Sequence, residues 1–219
     1  GTVTAVLPSG PIEVTTLRHD VSTDGRHAVV AFTDAWDEDA ARRDFTMNAL
    51  YADPVTGAVF DSVCGLADLK ARVVRFIGDP YRRIAEDHLR ILRFFRFHAR
   101  FGDTIDAEGL AACSARANDL MALSRERIAS ELLKLLIAAQ AVRVVKLMID
   151  HGIFRAVLPE IVDATPLAEL AEREAAAGIA PDAIRRLATL IPPAAAESVG
   201  ARLKLSNADR KRLCAAPQG

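Results

Sequence analysis

Cysteine is scarce: Cys64, Cys113 and Cys214 are the only three in 219 residues, and no two stand in a Cys-x-x-Cys pair. That spacing excludes a thiolate zinc knuckle or a disulfide framework and fits a reducing compartment, so a cytoplasmic protein is expected. No apolar run approaches the roughly 18 residues that cross a bilayer as a helix, and no secretory signal is visible, so no helical membrane span is expected. The five histidines, His19, His27, His88, His98 and His151, have no ligand spacing. The single tryptophan, Trp36, sits at an acidic helix start and reads as a packing anchor. Neither sign of charge dominates. The formal net charge is −1, so the chain as a whole argues neither for nor against a polyanionic partner.

What is present is a core and one basic stretch. At 51% hydrophobic the chain can bury a substantial core in one or two domains. Between Lys70 and Arg100 stand nine basic residues against Asp79, Glu86 and Asp87, a footprint suited to phosphates as much as to a solvated helix face. Residues 82–102 organise the rest. Pro80 before them and Gly102 after them are start and stop signals, so one continuous helix is expected. At a period of 3.6, Ile84, Ile91, Leu92 and Phe95 share an apolar face, continued by Phe94 and Phe101, while Glu86, Arg90 and Arg93 lie on another.

Asp87 and Arg90 are three apart and are expected as neighbours on that helix. A carboxylate beside a guanidinium, over an aromatic floor, can read the edge of a flat heterocycle. Adenine and cytosine present an amine donor next to a ring-nitrogen acceptor, which Asp87 and Arg90 match. Guanine and uracil present a carbonyl next to an N–H, which sets like against like. A buried mismatch costs about 1–3 kcal/mol, enough to discriminate. Taken alone, an Asp-x-x-Arg pair is more often an intrahelical ion pair.

Ahead of this stretch the pattern is β-rich. Residues 2–6 alternate as a strand, 8–11 are a turn, and 12–18 are a second strand. In it Glu13 lies between Ile12 and Val14, facing solvent or projecting from a sheet, where it would suit a hard cation such as Mg²⁺. Residues 19–27 read as a polar loop and 29–32 as a short strand. The acids from Asp34 to Asp39 open a helix expected to carry residues 42–49, their charge favouring the helix dipole. A hairpin over 50–52 and 58–60 leads to a Gly-containing loop over 61–69. Beyond Lys70 the pattern is helical: 107–121, 124–139 capped by Ser124, 141–150 stopped at His151-Gly152, 167–177, 182–190, 194–203, and a last helix capped by Ser206. The expected fold class is an α+β head followed by an all-α neck and body, divided as 1–69, 70–140 and 141–219.

Five motifs stand in one order: Ile12-Glu13-Val14-Thr15-Thr16-Leu17-Arg18, Arg42-Arg43-Asp44-Phe45-Thr46-Met47-Asn48-Ala49, Asp61-Ser62-Val63-Cys64-Gly65-Leu66-Ala67-Asp68-Leu69, Glu86-Asp87-His88-Leu89-Arg90, and Ser124-Arg125-Glu126-Arg127-Ile128 leading to Glu131. Together they closely resemble the class II tRNA nucleotidyltransferase (CCA-adding) and bacterial poly(A) polymerase family over residues 1–140, and loosely beyond. The resemblance implies a head of the polymerase-β type, here a partial sheet, and helical neck and body domains. It implies template-independent addition of CMP and AMP to tRNA 3′ ends, with CTP and ATP as substrates, Mg²⁺ as cofactor, and tRNA or another RNA 3′ end as partner.

Residue by residue, the resemblance assigns nucleotide selection to Asp87 and Arg90, supported by Glu86, with Arg93 also among the nucleotide-binding residues. Arg43 and Asp44 would hold the incoming nucleotide, Asp44 at the ribose 2′-hydroxyl, with Arg42 and Asn48 nearby. Asp61, Gly65 and Asp68 fall in a hinge-like loop whose first family glycine is Cys64 here. Arg127 and Glu131 belong to the neck helix behind the pocket. Glu13 matches the third metal-site carboxylate. The other two belong to an Asp-x-Asp motif on an earlier strand, beside a Gly-rich stretch that grips the triphosphate; neither stands ahead of Glu13. The chain also starts with Gly, and the expectation is a fragment of a longer, active gene product, inactive by itself. Three other readings stay open: an enzyme adding only AMP, a non-catalytic nucleotide- or RNA-binding module, and a helical scaffold whose Arg-rich face pairs with its own acids.

Overall fold

The structure, a computed structural model, describes the backbone of residues 1–23 and 28–215 and the side chains of all of these except 19–23 and 28–30. Strand β1 (Thr2–Leu7) pairs antiparallel with β2 (Gly10–Thr15), which sets Glu13 opposite Thr4. β3 (Arg18–Thr23) pairs with β4 (Ala28–Phe32), and β5 (Tyr51–Ala52) with β6 (Val59–Phe60). Among the described residues these are three two-stranded ribbons rather than one sheet. The strand expected over 12–18 is therefore two strands meeting at Thr16 and Leu17. The loop expected over 19–27 is strand as far as Thr23, where β-branched Val21 and Thr23 favour an extended backbone; residues 24–27 lie outside the described residues.

Helix α1 (Trp36–Ala41) stops short of the segment it was expected to carry. The Asp44 carbonyl accepts from Ile77 N–H at 3.1 Å, and Thr46 N–H donates to the Arg75 carbonyl at 3.0 Å, so the chain leaves the helix to bridge residues 75–77. Burial of the Phe45 ring, fully inaccessible and 5.0 Å from the Phe76 centroid, outweighs helix propensity here. Only a single 3₁₀ turn follows, Thr46–Asn48. Trp36 is not a buried anchor: it is 58% exposed and meets Tyr51 edge-on.

The loop expected over 61–69 is half helix, α2 (Gly65–Lys70). The Asp61 carboxylate accepts from the N–H groups of Val63, Gly65 and Leu66, which satisfies the open helix start. A Cβ on Gly65 would lie 2.3 Å from the Thr46 carbonyl oxygen, so only glycine lets α2 pack there. Cys64 itself takes a left-handed backbone, φ 62°, a conformation glycine adopts without steric cost. Cys64→Gly is expected to raise stability by about 0.5–1 kcal/mol, read by urea unfolding; a loss would show that the cysteine side chain contributes more than its backbone costs.

The helix expected over 82–102 is two helices, α3 (Pro80–Glu86) and α4 (Arg90–Phe101). Asp87 ends the first in an extended conformation, φ −153° and ψ 108°, and its Oδ1 accepts from the Leu89 N–H at 3.1 Å. A short acid that bonds its own downstream backbone offers the chain an alternative to the helix ladder. Asp87 and Arg90 are consequently not an ion pair on one helix surface.

Helices α5 (Ala107–Ala115), α6 (Arg125–Leu136), α7 (Ala141–Asp150), α8 (Thr165–Ala176), α9 (Ala183–Leu190), α10 (Ala196–Arg202) and α11 (Asn207–Cys214) complete the body. The helix expected over 107–121 gives way to a 3₁₀ segment, Ala117–Ala122. Ser124 and Ser206 do cap their helices, accepting from the N–H groups of Arg127 and Asp209. One core runs from Phe45 through Phe94 and Phe95 to Leu213, tying the α+β head to the helices.

His98 is inaccessible to solvent inside this core. Burial first, and the Arg143 guanidinium second, hold its pKa down, from 6.5 to about 4. The unfolded chain therefore binds a proton the folded one excludes. Stability from this group is complete above pH 6.5 and falls as pH drops towards 4, by up to about 3 kcal/mol. Urea unfolding of wild type and His98→Asn between pH 7 and 4.5 checks this. The difference between the two profiles should narrow with falling pH, and parallel profiles would refute a buried neutral imidazole.

Candidate nucleotide site

A cavity of about 580 Å³ opens where α1, the α3–α4 break and the first turns of α4 converge. Arg18, Arg42, Arg43, Arg90 and Arg93 line it, with Asp44, Asn48, Asp87 and Phe97. Five guanidiniums face two carboxylates, which suits a polyanion carrying a base.

Each wall is fixed from behind. Asp39, 1% exposed on α1, seats two of the arginines. Its Oδ1 accepts from Arg42 Nε at 2.9 Å and Nη2 at 2.5 Å, and from the Arg18 N–H at 3.3 Å. Its Oδ2 accepts from Arg43 Nε at 3.2 Å and Nη2 at 2.9 Å, and from the Tyr51 hydroxyl at 2.7 Å. Asp44 accepts from the Phe45 N–H and Asn48 Nδ2, both at 2.9 Å, and from Arg93 Nε at 2.6 Å. Arg90 is oriented by three acceptors: Glu86 Oε2 at 2.5 Å, the Arg83 carbonyl at 2.9 Å and the Arg42 carbonyl at 3.0 Å. These engage three of its five N–H groups among the described residues and leave the rest for a ligand. Asp87 Oδ2 accepts from Arg127 Nη2 at 2.7 Å, which ties the Asp87 carboxylate to α6. Phe97 carries the Arg96 guanidinium 4.2 Å from its centroid, and Arg96 in turn donates to the buried Glu131.

The structure thus gathers Arg42, Arg43, Asp44, Asn48, Asp87, Arg90 and Arg93 around one cavity. Glu86, Arg127 and Glu131 stand behind it as holders of Arg90, Asp87 and Arg96. Asp61, Gly65 and Asp68 lie elsewhere: Asp68 accepts from Thr46 Oγ1 at 2.8 Å and pairs with Arg75 at 3.1 Å, bracing the 44–46 segment. Sequence reasoning missed three residues. Arg18 closes the first motif and Phe97 lies one turn beyond Arg93, so both were visible by position. Asp39 stands three and four residues before Arg42 and Arg43, a spacing that also marks their partner.

Glu13 is exposed on β2 and does not line the cavity. Its carboxylate is a hard donor of the kind Mg²⁺ takes, yet one exposed carboxylate does not hold the ion. Among the described residues no group of three His, Cys, Asp or Glu side chains could do so.

Comparison with known proteins shows which family the chain is similar to. Residues 1–75 match the Poly A polymerase head domain, and residues 104–165 match the Probable RNA and SrmB-binding site of polymerase A. The chain is 47% identical over 156 residues to the CCA tRNA nucleotidyltransferase 1, mitochondrial, of Mus musculus, covering 70% of this chain and 36% of the relative. It is 38% identical over 125 residues to Poly(A) polymerase I of Haemophilus influenzae, covering 57% and 28%. The chain spans about a third of the length of the curated relatives it matches. The crystal structure of the Bacillus stearothermophilus CCA-adding enzyme in complex with CTP superposes with a TM-score of 0.71 at 26% identity, over 97% of this chain and 52% of that one. With the head-domain and RNA-binding models matched in series across more than half of its length, the chain belongs to the family of CCA-adding tRNA nucleotidyltransferases and bacterial poly(A) polymerases.

Proposed function

We propose that this chain is the nucleotide-selecting part of a template-independent RNA nucleotidyltransferase that adds CMP and AMP to tRNA 3′ ends from CTP and ATP. The observation that carries this reading is the α3–α4 break, which turns Asp87 and Arg90 onto one arginine-walled cavity with each held from behind. Asp87 accepts from the amine of cytosine or adenine, and Arg90 donates to the ring nitrogen beside it. Asp44, already bonded by Asn48 and Arg93, accepts from the ribose 2′-hydroxyl. Arg42 and Arg43 face the phosphates. Residues 1–69 supply the head side of the cavity, 70–140 the selecting neck, and 141–219 the RNA-binding body. The intact protein uses Mg²⁺, with Glu13 contributing one carboxylate. The compartment is the reducing cytoplasm, in which three free cysteines persist.

Calorimetric titration of this chain with the four ribonucleoside triphosphates tests the reading. CTP and ATP are expected to bind at least about tenfold tighter than GTP and UTP, the worth of one matched pair of buried contacts. Four equal affinities would overturn it. Incorporation of CTP and ATP by the intact protein, on tRNA lacking its 3′ end, separates CCA addition from the addition of AMP alone.

A further inference from the structure

Asp39 lies outside the cavity, yet its bonds reach the residue that reads the base. It seats the Arg42 side chain, and the Arg42 carbonyl accepts from Arg90 Nη2 at 3.0 Å. The neighbouring Ala41 carbonyl accepts from Arg83 Nη1 at 3.0 Å. Both carbonyls belong to the open end of α1, where helix partners run out, so guanidiniums of α3 and α4 supply the missing donors. The position of α1's last turn thus sets one of the three acceptors that aim Arg90. That turn is itself fixed by two guanidinium forks on the two oxygens of one buried carboxylate.

We infer that Asp39 is a positioning residue for nucleotide selection: it touches no nucleotide, but holds Arg42 where its carbonyl keeps Arg90 facing the cavity beside Asp87. The inference rests on the reading of the cavity as the CTP and ATP site. Burial alone would raise the Asp39 pKa, but the Tyr51 hydroxyl, Arg42, Arg43 and the Arg18 N–H together drive it well below the usual carboxylate range. The group is therefore a fixed charge at any pH at which the fold survives, not a switch. Asparagine at this position keeps the size and one acceptor, but turns an amide donor towards one of the two guanidiniums, like against like.

The test is equilibrium binding of CTP and GTP to wild type, Asp39→Asn, Tyr51→Phe, Arg90→Ala and the Asp39→Asn/Arg90→Ala double variant, with thermal melting of each. Asp39→Asn should lower the CTP-over-GTP preference about tenfold while melting remains cooperative. Tyr51→Phe removes the 2.7 Å bond to Asp39 and a 3.4 Å bond to the Trp36 carbonyl, substitutes no residue of the cavity wall, and should lower it two- to threefold. In the Arg90→Ala background Asp87 still provides a preference to lose, and Asp39→Asn should change it less than twofold. Equal weakening of both nucleotides by Asp39→Asn overturns the inference, as does an undiminished effect in the Arg90→Ala background. Should Asp39→Asn fail to fold, an unchanged preference in Tyr51→Phe overturns it alone. A wild-type chain without preference rejects the nucleotide-site reading itself, and is recognised before any substitution is compared.

Discussion

Asp87→Asn is expected to erase most of the preference for CTP and ATP over GTP and UTP, a loss of about ten- to a hundredfold in the ratio of affinities. The amide is nearly the same shape as the carboxylate, so the bond from the Leu89 N–H that shapes the α3–α4 break survives. What changes is the pattern offered to the base. One oxygen becomes a donor, which now opposes the amine of cytosine or adenine and matches the carbonyl of guanine or uracil. Exchanging the matched contact for a mismatched one costs about 1–3 kcal/mol, and tenfold in affinity is about 1.4 kcal/mol. Arg127 also loses its charged partner, but it is a half-exposed side chain whose pairing contributes little to stability. The check is the same four-nucleotide titration. An unchanged ratio would show that Asp87 caps the break and does not read the base.

Phe94→Ala is expected to cost about 3–5 kcal/mol, the largest stability loss of any change considered, because it empties the junction between head and helices. The ring is fully buried. It stacks on Phe76 at 5.5 Å with planes 12° apart, meets Phe95 edge-on at 5.4 Å, and lies 6.3 Å from Phe45. On its far side Gly109 approaches so closely that a Cβ there would lie 2.9 Å from the ring. Urea unfolding measures the loss, with Phe60→Ala as the control. Phe60 is 61% exposed on β6, so that change should stay within about 0.5 kcal/mol. Equal effects would mean that Phe94 does not join the two halves.

The helical body was legible because its signals are local. Ser124 and Ser206 sit where an N-cap must, and residues 141–150 carry a clean apolar period that stops at His151-Gly152, whose glycine takes φ 71°. In the head, the hairpin expected over 50–52 and 58–60 is the β5–β6 pair, but the limits of β2 and β3 were not legible. An alternating run does not say where one strand ends and the next begins, and Thr16 and Leu17 carry no turn signal strong enough to separate β2 from β3. The two largest departures, the end of α1 at Ala41 and the break at Asp87, both stand at the cavity. In each the local pattern is helical; at Ala41 the bridge to residues 75–77 overrides it, and at Asp87 the carboxylate's own bond to the Leu89 N–H does so, with Arg127 holding the residue there.

The sequence alone determined which residue types this protein brings together: an acid and an arginine three apart, a double-arginine motif, and their order along the chain. Those are matters of residue type and spacing, which local physics and resemblance both read. Only the tertiary structure decided how they meet. Residues 75–77, some thirty positions downstream, draw the backbone of 44–46 out of a helix by burying Phe45 against Phe76. Arg127, forty positions downstream of Asp87, ties that residue at the break. Contacts of that range gain their energy only when the whole core has closed, and no window of sequence contains both partners.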